Sequence, residues 1–247
     1  MKILSYGTTL TGSTGINGDS YYISPDNKVF ILSDGASGAG EKGKVIMSNT
    51  CVEVAKQYNF SISNLEPKEY VDFLFYKMNN KLIEISQNSR QRFYGTVIIT
   101  VIEKDTLTVT TLGDSPAFLI SDGTIKRVAK NKLKYEDMIE QGYITRTDYD
   151  GYIQQMHERM QRCFDWFIPE VVPPNVIEQY IIKQDDMFFM CCDGLGDWIE
   201  PDKIFSTLKN HGIKDGTDIL IQQAKEISLA VETFYDDITA VTIQCSK

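Results

Sequence analysis

VFILSDG, residues 29–35, is an apolar run that ends in an aspartate and a glycine. A second run, MFFMCCDG at residues 187–194, ends in the same way. Short apolar runs bounded by turn residues predict buried strands. A carboxylate at the end of such a strand costs desolvation free energy unless a cation or a hydrogen-bond donor compensates it. We therefore expect a sheet whose strand ends hold Asp34 and Asp193 near the core.

Other aspartates border further predicted strands: Asp19 in NGDS, Asp114 in LGDS, and Asp236 with Asp237 in FYDDI. Taken singly, such aspartates and glycines are ordinary turn formers. Taken as a set, carboxylates that converge on one place repel each other unless cations neutralise them. Ligation by oxygen alone favours Mg²⁺ or Mn²⁺ over zinc or copper.

Two such ions close together can activate a water molecule and clamp a phosphoryl group. The pattern therefore indicates metal-assisted hydrolysis of a phosphate ester, without a histidine or a nucleophilic side chain. The chain has only two histidines, His157 and His211, which excludes a histidine-rich zinc centre.

The net charge of the chain limits the classes of partner that it can bind. It has 25 Lys and Arg against 34 Asp and Glu, a formal net charge of -9, which argues against nucleic acid or an anionic membrane as the main partner. No apolar run approaches the length of a membrane span. The five cysteines form no CxxC pair and are odd in number, so we expect reduced, buried thiols. These features predict a cytoplasmic, monomeric protein.

The order of elements predicts the fold class. Apolar residues recur at helical spacing over residues 68–86, and runs at 96–102 and 107–112 predict an antiparallel hairpin. Many antiparallel strands with helices in groups indicate an α+β fold in layers rather than a βαβ repeat. We expect one domain over residues 1–247, carrying a polar, arginine-rich insertion at about 130–174.

These segments, in this order, resemble the metal-dependent protein phosphatases, the type 2C serine/threonine phosphatase family. The matching strings run from residue 17 to residue 243: NGDSYYI, FILSDGASGAG, YGTVIIT, LGDSPAFLI, MCCDGLGDWI and DDITAVTI. Each string is weak, but the whole ordered set is specific. The resemblance implies a central antiparallel β-sandwich flanked by helices in α-β-β-α layers, with a metal site at one edge. The insertion is similar in position to the family's flap.

The resemblance also implies roles for individual residues. Asp34 would bridge two metal ions, and Gly35 would add its carbonyl oxygen. Asp193 and Asp236 resemble the remaining ligands of the first ion. Asp237 stands where the family usually has Asn, so Asp236 is the expected ligand of that pair.

An outer group and a catalytic carboxylate follow in the same way. Asp114 and Asp197, together with Asp193, resemble the acidic group that holds a third, weaker ion. Asp19 resembles the carboxylate that orients the reacting water. We therefore expect two or three Mg²⁺ or Mn²⁺ ions, with Asp19, Asp34, Asp193 and Asp236 as the catalytic set.

The sequence also departs from the family pattern. Gly18 stands where the family usually has a Glu that binds the second metal ion, and Thr14 stands where an Arg often binds the substrate phosphate. Lys42 and Lys44 could replace that Arg, but we expect both to be solvated surface residues. The combination of NGDS with GDSP resembles the bacterial sporulation and stress-response branch.

The resemblance implies a serine/threonine protein phosphatase that acts on phosphorylated proteins. Two alternatives stay open on the sequence. One is a pseudophosphatase, which would bind a phosphoprotein without turnover because Gly18 and Thr14 replace functional residues. The other is a phosphatase of small molecules, or a nuclease, that uses the same metal ions.

Overall fold

The computed structural model describes residues 1–36, 40–91, 93–129 and 176–246, together with the backbone of residues 164–165. The strands in this part of the chain are β1 (Lys2–Leu10), β2 (Asp19–Ile23), β3 (Val29–Gly35), β4 (Tyr94–Glu103), β5 (Thr106–Leu112), β6 (Ala117–Ser121), β7 (Thr124–Val128), β8 (Phe164–Asp165), β9 (Glu178–Ile181), β10 (Met187–Cys191) and β11 (Ile238–Ser246). The α-helices are α1 (Gly40–Gln57), α2 (Pro67–Ser89), α3 (Asp193–Gly196), α4 (Pro201–His211) and α5 (Ile213–Glu232), and a 3-10 turn covers Phe60–Ile62.

The strands form two antiparallel sheets. One sheet has the order β1-β11-β10-β6-β7, and the other has the order β2-β3-β4-β5-β9, with the short β8 paired to β4. The sheets pack face to face, and their facing side chains form a continuous apolar core. The fold is therefore an antiparallel β-sandwich.

Successive residues of the central strands point to opposite faces, and both faces are buried. Phe30 and Leu32 of β3 lie between the sheets, whereas Ile31 packs with residues of α1 and α2. In β10, Phe188 lies between the sheets and Phe189 packs against α4 and α5. This double burial explains why the strands read as unbroken apolar runs. The α+β fold with α-β-β-α layers is confirmed.

Strand β1 was not expected from the sequence. β1 pairs with β11 along its whole length, from Lys2 opposite Ser246 to Leu10 opposite Ile238. Its side chains are partly or fully exposed, so its sequence lacks an apolar face. Pairing with a strong strand from the other end of the chain, rather than local pattern, holds β1 in place.

The predicted insertion at about 130–174 falls almost entirely outside the described residues. Its described backbone, Phe164–Asp165, pairs with Tyr94 and Gly95 at the first residues of β4. The flap-like role of the insertion stays a prediction. No helix in the described ranges is both long and apolar enough to cross a bilayer.

Candidate metal centre

The β2–β3 hairpin places two carboxylates side by side. Asp19, the first residue of β2, lies directly opposite Asp34, near the end of β3. Directly opposite residues project from the same face of an antiparallel pair, with Cβ atoms about 5 Å apart. Beyond this pair, the Gly35 amide donates a hydrogen bond of 3.1 Å to the Gly18 carbonyl. The register therefore fixes Asp19 and Asp34 at one edge of the sandwich.

The end of β10 brings a third carboxylate to this edge. Strand pairing ends at Cys191, and the chain turns at Asp193 into the single-turn helix α3, where the Asp197 amide donates to the Asp193 carbonyl at 2.9 Å. A side chain at Gly194 would lie only 2.1 Å from the Asp237 carbonyl oxygen. This close approach requires glycine and holds the α3 turn against the chain segment that carries Asp236.

The turn before β6 adds a fourth carboxylate, Asp114. The Cys191 amide donates a 3.1 Å hydrogen bond to the Pro116 carbonyl, which ties the GDSP turn to β10. The Asp114 carbonyl in the same turn accepts a 3.0 Å hydrogen bond from Arg127. Asp114 is partly buried, whereas Asp197, on the α3 side, is exposed.

The pKa of Asp193 shows how closely these groups interact. Burial raises the pKa of the Asp193 carboxyl to about 8, and the negative charge of Asp114 adds to the effect. Asp236, Asp197 and Asp19 raise it further. These five carboxylates, drawn from distant parts of the sequence, therefore share one electrostatic environment.

Asp34 lies in the same electrostatic environment. Burial raises its pKa well above the usual value, and the charges of Asp19 and Asp193 raise it further. Asp236 and Asp114 act in the same direction. Such a cluster retains protons at neutral pH unless cations are present.

Asp19 is 7% exposed and is more deeply buried than Asp34, Asp193 or Asp236. Burial raises its pKa to about 7, although hydrogen bonds from Thr239 and Cys192 lower it, while Asp237 and Asp236 raise it by repulsion. Its side-chain oxygen Oδ2 is buried and has no hydrogen-bond partner among the described residues. An orphaned carboxylate oxygen in this position is suited to accept a bond from water or a cation.

Asp236 and Asp237 are adjacent but lie in different environments. Both oxygens of Asp237 are taken by protein donors: Oδ1 by the Gly12 amide at 2.7 Å, and Oδ2 by the Gly18 amide at 2.7 Å and by Lys44 at 3.1 Å. Asp236 is exposed, and its Oδ1 accepts the Asp237 amide at 2.9 Å. Asp237 thus anchors the loop at residues 12–18, whereas Asp236 is accessible from solvent.

The environment of Lys44 differs from the one predicted. It was expected to be a solvated surface lysine, but it is 1% exposed. Burial lowers its pKa, but hydrogen bonds and charge from Glu41 and Asp237 outweigh this and leave the pKa raised. Gly18 has no side chain and so leaves room for the lysine stem. Lys42 is exposed, as expected.

The carboxylates fit a hydrated cation better than a closed protein cage. Within the described residues, no three His, Cys, Asp or Glu side chains already surround a common ion position. Mg²⁺ commonly keeps several waters and binds only one or two carboxylates directly. The mutual repulsion, the accessible Asp236 and the orphaned Asp19 oxygen are consistent with such an ion.

A cavity of about 130 Å³ adjoins this group. Asp193, Asp197 and Asp236 line one side, and Glu232 and Phe234 at the end of α5 line another. Glu232 and Phe234 are not recognisable as site residues from the sequence, because neither follows a strand or belongs to a matching string. Only the packing of α5 beside α3 brings them to the site.

The sequence matches no family model and no curated protein. Solved structures resemble the chain over its whole length. The serine/threonine phosphatase PstP of Mycobacterium tuberculosis has a TM-score of 0.80 at 17% identity, with 99% of each chain covered. The catalytic domain of a serine/threonine protein phosphatase PstP in complex with two manganese ions has a TM-score of 0.78 at 18% identity, again over 99% of each chain.

A serine/threonine phosphatase of S. agalactiae also matches, with a TM-score of 0.78 at 17% identity over 99% of this chain and 100% of that one. The similarity in fold is therefore close, although the sequences have diverged widely. The fold expected from the ordered motifs is confirmed. The resemblance to the sporulation and stress-response branch stays a prediction, as do the ligand roles of the individual aspartates.

Proposed function

We propose that this chain, which has the fold of the type 2C serine/threonine phosphatases, is a metal-dependent phosphoprotein phosphatase that hydrolyses phosphoserine and phosphothreonine. One observation carries the proposal. Asp19, Asp34 and Asp193 come from separate strand ends to one edge of the sandwich, and their pKa values are raised by burial and by neighbouring carboxylates. Such an arrangement is stabilised by binding hard cations.

The residues that would hold the ion are Asp34, Asp193 and Asp236, with the Gly35 carbonyl as a further donor. A bound Mg²⁺ or Mn²⁺ supplies Lewis-acid charge and lowers the pKa of water. Asp114 and Asp197 would add an outer, weaker position.

Asp19 has a different proposed role. Its unpartnered Oδ2 can accept a hydrogen bond from the reacting water and orient that water toward the phosphorus. Its strand position opposite Asp34 keeps this oxygen at a fixed place in the site. The leaving oxygen of the substrate serine or threonine then departs on the opposite side of the phosphorus.

We further propose that the protein acts in the cytoplasm, as a monomer, on a phosphorylated protein and not on nucleic acid. The buried, unpaired thiols of Cys51, Cys191, Cys192 and Cys245 are typical of a reducing compartment. The net charge of -9 disfavours a nucleic-acid backbone as substrate. Strand β8, within the predicted flap, pairs beside the Gly35 end of the site, which supports a flap that borders the substrate.

The test is Mn²⁺-dependent hydrolysis of an aryl phosphate and of a phosphoserine peptide by the full chain. We expect Asp34→Asn to lower kcat by about 100-fold or more, since Lewis-acid stabilisation contributes several kcal/mol. Asp122→Asn is the matched control, because Asp122 is an exposed turn residue whose positive φ suits Asn. Wild-type activity no higher than that of Asp34→Asn would reject the proposal.

The pseudophosphatase is not favoured over the enzyme by the site. Every aspartate of the expected set is present, and the described ones interact at one edge. Saturable phosphopeptide binding without release of phosphate, in the presence of Mn²⁺, would reverse this preference.

A further inference from the structure

We propose that the buried Lys44 ammonium is a fixed cation of the metal centre, which occupies the Gly18 side of Asp34 in place of a second divalent ion. The chain would then bind one divalent ion tightly at this centre rather than two. Because Lys44 acts here on the proposed metal site, the inference rests on the proposed function.

The lysine stem fills the space beside Gly18. A Cβ atom at Gly18 would lie 2.5 Å from Cδ and 2.8 Å from Cγ of Lys44, and 3.0 Å from the Gly35 carbonyl oxygen. Methylene groups therefore occupy the position where a side chain at residue 18 would begin. A carboxylate at that position and Lys44 in its present place are mutually exclusive.

The lysine backbone is equally closely placed. A Cβ atom at Gly35 would lie 2.0 Å from the Lys44 carbonyl oxygen, so α1 and β3 are in direct backbone contact here. The backbone of Lys44 is therefore held against β3 by main-chain packing. Its exposure of 1% agrees with this placement.

The ammonium group is held by oxygen acceptors on several sides. Lys44 Nζ lies 3.1 Å from Asp237 Oδ2, 3.1 Å from Glu41 Oε2 and 3.4 Å from Thr14 Oγ1. The ammonium donates hydrogen bonds to Asp237 and Thr14, and its charge is also paired with Glu41. Lys44 is thus a poor candidate to bind substrate phosphate in place of Arg, because two carboxylates already neutralise its charge.

The Gly18 side of Asp34 lacks the ligands that a second Mg²⁺ or Mn²⁺ requires. A hard divalent ion takes about six oxygen ligands at roughly 2.0–2.1 Å. Apart from the single Gly35 carbonyl oxygen, the Gly18 side offers methylene groups, a residue without a side chain and a positive charge. A divalent ion would also be repelled by the ammonium. Asp193, the first residue of α3, and the exposed Asp236 lie away from Lys44, and the remaining ion fits there.

The test is the number of Mn²⁺ ions bound per chain, measured by calorimetry and native mass spectrometry. All variants carry Asp197→Asn, so that the weaker outer position contributes less. We expect one tight ion in this background. Gly18→Glu combined with Lys44→Ala supplies a carboxylate and removes the cation. We expect it to bind a second ion at least about tenfold more tightly than the background does.

A second variant combines Lys44→Ala with Asp237→Asn, which removes the ion pair without leaving a buried unpaired charge. We expect this variant also to bind a second ion more tightly than the background does. Lys42→Ala, an exposed change on the same helix, is the control and should leave the count at one. The inference is overturned if the background binds two ions with similar affinity, or if neither folded double variant gains affinity for a second ion. Either result would leave the proposed function standing. No bound ion in wild type would overturn the proposed metal centre as well.

Discussion

Lys44 Nζ lies 3.1 Å from Asp237 Oδ2, and both side chains are at most 5% exposed. The two residues are 193 positions apart in the chain. Asp237 also accepts the amides of Gly12 and Gly18. One ion pair therefore ties α1, the loop at residues 12–18 and the start of β11 together at the edge of the candidate site.

Breaking this pair on one side should be strongly destabilising. We expect Lys44→Ala alone to lower the free energy of unfolding by about 3–5 kcal/mol, because it leaves Asp237 buried and unpaired. Urea unfolding of the metal-free protein measures this change. Lys28→Ala is the matched control, since the Lys28–Glu103 pair has the same chemistry but is about one-third exposed. Its loss should cost at most about 1 kcal/mol.

The metal-free protein should become less stable as the pH rises. The folded-state pKa of Asp19 is raised to about 7 and that of Asp193 to about 8, from an ordinary value of 3.8. The folded state therefore holds these protons more tightly than the unfolded state, and this stability is lost between about pH 4 and pH 8. Thermal unfolding in a chelator at several pH values measures the trend.

Mn²⁺ should greatly reduce this loss of stability with rising pH. A bound cation takes the place of the protons, so the increase in Tm on adding Mn²⁺ should be larger at pH 8 than at pH 5. An equal increase at both pH values would contradict the view that this carboxylate cluster binds the ion.

Removing one carboxylate should separate stability from ion binding. We expect Asp193→Asn to stabilise the metal-free protein at pH 8, by on the order of 1 kcal/mol, because it relieves repulsion within the cluster. The same change should weaken Mn²⁺ binding by at least about tenfold. Unfolding curves and calorimetry on one preparation test both effects. A variant that is less stable and binds Mn²⁺ normally would mark Asp193 as a structural residue.

Backbone contact at Gly35 should tolerate no side chain. Gly35→Ala places a Cβ atom 2.0 Å from the Lys44 carbonyl oxygen, so α1 must move away from β3. We expect a loss of about 1–3 kcal/mol or more, and a weaker ion site. Gly7→Ala is the comparison, because its new Cβ atom meets the ring of Tyr21, a side chain that can turn aside. Its cost in urea unfolding should be smaller.

Local sequence was sufficient for several elements of the fold. Residues 96–102 and 107–112 pair as the predicted hairpin, because apolar strand residues with a short polar turn admit few other structures. The helix predicted over residues 68–86 lies within α2, because its apolar residues recur at helical spacing. Strand β1 was missed, because its pairing partner is at the other end of the chain.

The sequence alone determined a layered α+β fold and the set of aspartates that border its strands, since continuous apolar runs specify buried strands and each of these aspartates lies next to such a strand. The sandwich itself was implied by the resemblance of the ordered motifs to a known family. Only the tertiary structure decided how those charges are used. Asp236 and Asp237 are identical neighbours, yet one is exposed and the other is held by Lys44 and two amides. Burial and partners of a charged side chain depend on contacts made by distant segments. No local pattern around Lys44 or Asp237 reports those contacts.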